Sequence, residues 1–403
     1  MDDARRAAER AARTSYGRLL ALLAARSGDI AAAEDALADA FAATLRTWPE
    51  RGVPDRPEAW LLTAARRTLG KGWRHQAVRD GSAAVLAMIA DEAAEPPEFP
   101  DERLKLLFVC AHPAVDEGVR TPLMLQTVLG LDAARIAAAF LVAPAAMGQR
   151  LVRAKAKIRD ARPRFDVPDL ACLPDRLGPV LAAVYAAYGA AWDAGPGADG
   201  SPRLAEEAIF LARLLAELLP DEPEAAGLLA LLLHCEARSG ARRDADGRYV
   251  PLADQDRRRW SRPLIAEAEA SLRRAAAMNR PGRFQTEAAI QSLHVGAALS
   301  GRTAPDALAM LYDLLARQAP ALGVEVARAA AHADAKGPEA GLSLLAAIGA
   351  ERIHAYQPYW AVRAHLLSRV GRREEARAAY DRAIGLAEDA AVRAFLADRR
   401  ARI

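Results

Sequence analysis

Apolar positions recur along this chain at three- and four-residue spacing and seldom alternate in twos, which predicts helices rather than strands. Tyr16, Leu19, Leu20, Leu22 and Leu23 form the stripe of a first helix over about 2–27. Gly28 stops it, and Asp29 is placed to N-cap a second helix that runs to about Trp48. Pro49 to Pro57 (PERGVPDRP) has the residues of a loop. A third helix follows from Glu58 to about Gln76, apolar at Trp60, Leu61, Leu62, Ala65, Leu69 and Trp73. Helix resumes over 101–129, with Pro113 and Pro122 marking starts or breaks. Gly130 to Arg164 then reads as two helices joined by a short turn. In the second of these, Met147, Leu151, Ala154 and Ile158 fall on one packed face.

Past Pro163 and Pro168 the pattern changes to a series of short Ala/Leu helices that continues from 169 to 403. Tyr359–Glu388 carries Trp360, Ala364, Gly371, Ala376, Tyr380 and Ala383, the small–large alternation of a tetratricopeptide-like hairpin. Fainter copies pass through Ala208, Ala212 and Leu215, through Leu308, Tyr312 and Leu315, and through Ala340, Leu344 and Ala347. Leu308, Ala340 and Ala376 are separated by steps that bracket the ~34 residues of such a repeat. A polar insert, Ser239–Trp260, interrupts the series.

Composition agrees with an all-α protein: alanine is abundant and aromatics are 5% of 403 residues. The net charge is only +3, so any nucleic-acid signal has to come from local asymmetry. That asymmetry is present. Ala145 to Arg164 holds seven Lys/Arg against one acid, with Gln149, Arg150, Arg153 and Lys157 opposite the apolar face. A basic helix behind a short helix and a tight turn suits a major groove, though it also suits a solvated surface. The third helix sets Arg66, Arg67, Lys71 and Arg74 beside Trp60, a combination fit for phosphates and unstacked bases, or for a core tryptophan with a solvated face. Glu34, Asp35 and Asp39 make an acidic face that would dock a basic partner or remain solvated. Asp91 to Glu102 has six acids, three prolines and no base, the composition of an extended linker.

The three cysteines are isolated, and no Cys/His spacing suggests zinc. No phosphate-binding loop, nucleophile elbow or zincin motif is present, so neither an enzyme nor a cofactor or metal is expected. The first residues lack the apolar core of a signal peptide, and no apolar run reaches the ~18 residues of a membrane span. A cytoplasmic protein with no membrane partner is the expectation.

The ordered blocks AEDAL…AF (from Ala33), AWLLTAAR (from Ala59) and AFLV…QRLVRAK (from Ala139) resemble bacterial RNA polymerase sigma factors of the extracytoplasmic-function type. More narrowly, the chain is similar to the subgroup with a tetratricopeptide-like C-terminal extension. The resemblance implies a sigma region two over 1–80, an acidic linker over 81–100, a region-four helix-turn-helix over 101–165 and a regulatory extension over 169–403. It implies core RNA polymerase and promoter DNA as partners. Glu34, Asp35 and Asp39 would dock on the polymerase; Trp60, Arg66, Arg67, Lys71 and Arg74 would capture the −10 element; Gln149, Arg150, Arg153 and Lys157 would read the −35 element. His234, Asp254, Gln255, Asp256, Arg257 and Trp260 look like blocks of the same subgroup and would form a regulatory cluster for a protein or small ligand, or simply a capped helix start with salt bridges. Lys71 stands where the family has Asp, between Gly70 and Gly72. A DNA-binding regulator without promoter-opening activity, and a helical-repeat scaffold, remain as alternatives.

Overall fold

The computed structural model describes residues 2–80, 102–140, 142–166, 173–194 and 201–403. The predicted acidic linker, 81–100, lies outside them. The described residues are helical, with one isolated bridge, Arg243 to Tyr249. They divide into two compact units, Met1–Ala208 and Ile209–Ile403.

The first unit begins with α1 (Asp2–Ser27), α2 (Ile30–Arg51) and α3 (Pro57–Asp80), packed mutually. Gly28 ends α1 at φ +68°, and the Asp29 carboxylate accepts the backbone N–H groups of Ala31 and Ala32 at 2.9 and 3.2 Å. Ala4, Ala7, Ala8 and Trp48 are buried together. The second helix overruns its predicted end. Pro49 is accommodated inside its last turn, and the left-handed Gly52 closes it with an N–H bond to the Trp48 carbonyl. The carbonyl that proline deprives of a donor belongs to Leu45, which is exposed and open to water.

α4 (Arg103–Cys110) is buried on every side from Leu106 to Cys110, the signature of an enclosed helix. α5 (Glu117–Leu129) contains Pro122 without breaking; the orphaned carbonyl falls on exposed Gly118. α6 (Ala133–Ala139) and α7 (Pro144–Ala161) pair, with Pro144 at the first position of α7. α8 (Leu173–Ala194) packs on α4 and α5, and its Arg176 donates to the Phe108 carbonyl at 2.9 Å, satisfying an end of α4.

The first three helices meet the later ones where α1 packs on α4 and α5 and where α2 meets α7. The α1–α5 crossing is backbone against backbone: a Cβ at Gly17 would lie 1.8 Å from the Val128 carbonyl oxygen. Next to it, left-handed Gly130 sits where a Cβ would be 2.8 Å from the Tyr16 ring. The α2–α7 contact is an ion pair of Glu34 with Lys155, whose side chains are only 16% and 10% exposed.

The second unit starts within α9 (Ser201–Leu218). α10 (Pro223–Glu236) is buried from Ala225 to His234 between α11 (Arg262–Ala277) and α12 (Arg283–Ser300). Glu224 accepts the Phe284 and Gln285 N–H groups at the start of α12. His234 is fully buried, its Nε2 3.4 Å from Glu269, which also accepts the Ser292 hydroxyl. Burial, only partly opposed by Glu269, pushes the imidazole pKa down to about 4. α13 (Pro305–Gln318), α14 (Leu322–Lys336), α15 (Pro338–Ala346), the single turn α16 (Ala350–Ile353), α17 (Gln357–Arg369), α18 (Arg373–Leu386) and α19 (Ala390–Ala401) follow, and the longer ones pack each on the next. Leu308, Ala340 and Ala376, picked out by their spacing, fall on α13, α15 and α18. At Gly341 a Cβ would be 2.7 Å from the Ala329 carbonyl, so α14 and α15 also touch through small residues.

Three consequences are measurable by denaturation of the full chain. Gly17→Ala is expected to destabilise the first unit by at least ~2 kcal/mol, despite alanine's better helix propensity, because the methyl has no room; unchanged stability would contradict the close crossing. Lys155→Met and Glu34→Gln each leave a buried charge without its partner and are each expected to cost roughly 3 kcal/mol, and the double variant recovers most of the loss. Additive effects of the two changes would rule out the coupling. His234 has a folded pKa below its unfolded one, so its contribution is present above pH ~6.5 and is lost as pH falls toward 4, at most roughly 3 kcal/mol. His234→Phe should flatten that part of the pH–stability curve relative to the parent chain.

Candidate nucleic-acid interface

α7 presents two unlike faces. Met147, Leu151, Ala154 and Ile158 are all at most 4% exposed, packed toward the body of the first unit. Gln149, Arg150, Arg153 and Lys157 are exposed on the opposite side. The local reason is the phase of the helix: apolar residues at three- and four-residue steps turn every intervening side chain outward. The Lys157 ammonium rests on the Asp116 carboxylate at 3.0 and 3.1 Å. Both side chains are well exposed, so this pair is a weak tie that a phosphate can replace.

Val152 stands on the same outer face and is 65% exposed. Charge pattern alone does not mark it; helical phase does. The signal was available: Val152 lies off the buried stripe, on the side of Gln149 and Arg153. A branched apolar group there is suited to contact a thymine methyl.

The acidic face divides. Asp35 and Asp39 are exposed along α2, one turn apart. Glu34 is turned away from them, to Lys155. Its burial raises the carboxyl pKa, and Lys155 partly offsets that. Burial and the nearby Glu34 together hold the Tyr16 phenol well above its ordinary range. Glu34 therefore acts as an internal tie in this arrangement and is not part of an open docking surface, which corrects its placement with Asp35 and Asp39.

On α3, Arg67 is exposed and Arg66 half-buried. Trp60 is half-buried edge-on against Trp48, with centroids 5.6 Å apart and planes at 69°, so much of its ring serves the core. The helix continues through Gly70 and Gly72 to Asp80. The side chains of Lys71 and Arg74 lie outside the described residues.

The six residues grouped as a regulatory cluster go to separate places in the second unit. His234 is enclosed as described. Trp260 is 4% exposed among Ala237, Ala241, Ile265 and Val295. Gln255 is buried and donates to the Val250 carbonyl at 3.4 Å. Asp256 caps the 3-10 turn Arg257–Arg259 by accepting the Arg258 N–H, and Arg257 is exposed. Asp254 is exposed near Arg399. The grouping is thus corrected: adjacency in sequence does not bring these side chains to one point, because the insert folds as successive short turns. Among the described residues no group of three or more His, Cys, Asp and Glu could hold a metal, and no helix is long and apolar enough to cross a membrane.

Comparison with known proteins adds two family matches. Residues 12–79, which span most of α1 to α3, match sigma-70 region 2. Residues 176–276, from α8 to α11, match a family of unknown function (DUF6596). An uncharacterized protein of Rhizobium meliloti is 39% identical over 374 residues, covering 90% of this chain and 88% of that protein. No solved structure matches. The chain belongs to one family with that Rhizobium meliloti protein, and its first helices are a sigma-70 region 2 domain.

Proposed function

We propose that this protein is an alternative sigma factor. It binds core RNA polymerase through the exposed Asp35–Asp39 side of α2, and it directs initiation at promoters whose −35 element is read by α7. The observation that carries this reading is the sigma-70 region 2 match over residues 12–79. The amphipathic α7, basic and exposed on one side and buried on the other, supports the second half of it. On this reading α6 and α7 are a helix-turn-helix, and Arg150, Arg153 and Lys157 supply phosphate contacts while Gln149 reads a base edge. The resemblance to extracytoplasmic-function sigma factors supports the narrower assignment. Residues 169–403 are then a tetratricopeptide-like regulatory extension, which the sequential helix packing from α12 to α19 supports. The protein supplies promoter choice and the polymerase supplies the chemistry.

The reading carries a geometric requirement. Elements centred near −10 and −35 are about 25 base pairs apart, roughly 85 Å at ~3.4 Å per pair. A compact unit of about 200 residues has a diameter nearer ~45 Å. Engaging both elements therefore requires α7 to leave α2, and α4 and α5 to leave α1.

A second reading, a DNA-binding regulator that opens no promoter, is favoured by one observation: Trp60 is held against Trp48 instead of standing free for an unstacked base.

Reconstituted transcription separates the two. With full-length protein and core polymerase, the sigma reading expects specific initiation and permanganate-reactive thymines near −10. Asp35→Lys with Asp39→Lys should abolish polymerase capture. Arg150→Ala with Arg153→Ala should keep capture but weaken duplex binding at least tenfold and lower its salt dependence. Failure of the intact chain to bind core polymerase sinks the proposal; binding to duplex without open-complex formation selects the second reading.

A further inference from the structure

The second unit contains a cavity of about 410 Å³ walled by α14, α17, α18 and α19 and edged by the Pro251–Asp254 turn. That volume is within the range of small-ligand sites, ~300–1,000 Å³. Val362, Leu366, Phe395 and Leu396 give it an apolar wall. Its polar lining is Asp254, Asp334, His365, Arg369, Tyr380 and Arg399. Tyr380 is only 4% exposed and lines the cavity, yet its hydroxyl has no hydrogen-bond partner among the described residues. The ring is enclosed, but the hydroxyl itself is open to the cavity and is not one of the buried unpaired atoms. Burial raises its pKa, so it remains a donor at neutral pH, and Arg399 is near enough for its charge to act on the hydroxyl.

Arg399, with a side chain 40% exposed, also has donors to spare. Its guanidinium lies 5.1 Å from the centre of the Phe395 ring, and its nearest carboxylate, on Asp254, is 3.7 Å away, beyond hydrogen-bonding distance. Arg369, also on the lining, spends one N–H on Asp334 at 2.9 Å and keeps the others. The cavity thus offers an apolar body site with unfilled donors at one side, and those donors are a phenol and guanidinium groups.

We propose that this cavity binds a small organic acid, a carboxylate carried on an aliphatic or aromatic body, with the carboxylate held by the Tyr380 hydroxyl and the Arg399 guanidinium. A carboxylate accepts from both donors and prefers the planar fork of arginine. The apolar wall accounts for the body, and Phe395 favours an aromatic one. Asp254 is the anion displaced, which couples occupancy to the turn that edges the cavity. The inference concerns the second unit alone and is independent of the promoter reading.

Titration of the full-length chain with 3-phenylpropionate, 3-phenylpropionamide and inorganic phosphate, followed by calorimetry, tests it. Saturable binding of the acid is expected, with the amide and phosphate each at least tenfold weaker. Tyr380→Phe and Arg399→Gln, both checked for an unchanged melting transition, should each lower affinity for the acid about tenfold or more, in line with a hydrogen bond to a charged group. No saturable binding of the acid up to ~10 mM, equal binding of the amide or of phosphate, or wild-type affinity in both variants would overturn the proposal. So would a peptide ending in a free phenylalanine carboxylate that binds more than tenfold tighter than the acid, since the site would then be built for a chain terminus.

Discussion

Close approach of helices is the constraint on which the molecule depends. Its interfaces are filled by alanine and glycine, so neighbouring helices meet with little side chain between them. Gly17 against the Val128 carbonyl is the extreme case, and Gly341 against Ala329 repeats it in the second unit. Such contacts gain dispersion energy from many atoms at short range but leave no slack. Large aromatics are correspondingly few and are used at particular gaps: Trp48 with Trp60 in one unit, Tyr359 and Tyr380 in the other. The helical propensity of alanine and its small size act together here, since the same residue forms the helix and lets the next one near.

What was legible in the sequence was what is local. The bounds of α1, the Asp29 cap and the buried stripe of α7 follow from spacing and from one or two residues each. Pro49 and Pro122 misled because the cost of a proline depends on whether the carbonyl it orphans can reach water, which local sequence does not state. The site was half legible for the same reason. Periodicity turned Gln149, Arg150 and Arg153 outward. The pairing of Glu34 with Lys155 bridges 121 positions and has no local trace. The insert after α10 was visible as a polar interruption, but its turns scatter side chains that look like one cluster in a row of letters.

Each unit holds buried polar groups that are paired and others that are not. In the first, Cys110 is paired with the Thr127 hydroxyl at 3.3 Å, and burial pushes its thiol up to about 12, so it packs as an inert small group. In the second, His234 is enclosed with neither ring nitrogen in a hydrogen bond, and the Tyr380 hydroxyl faces a cavity. Unsatisfied buried groups cost stability, and both units carry them, among them Trp48 Nε1 and Gln126 Oε1 in the first and Trp260 Nε1 in the second.

The Glu34–Lys155 pair has one further consequence. One member belongs to the helix with the acidic surface, the other to the helix with the basic surface. While they are joined, each cancels part of the other's field. Parting them makes α2 more negative and α7 more positive in the same event, so the attraction of each helix for a partner of opposite sign rises together. By thermodynamic reciprocity, a cation-rich partner taken by α2 raises the affinity of α7 for an anion by the same factor that the anion raises α2's for its partner. A single ion pair between two surfaces that share no ligand thereby makes their binding cooperative.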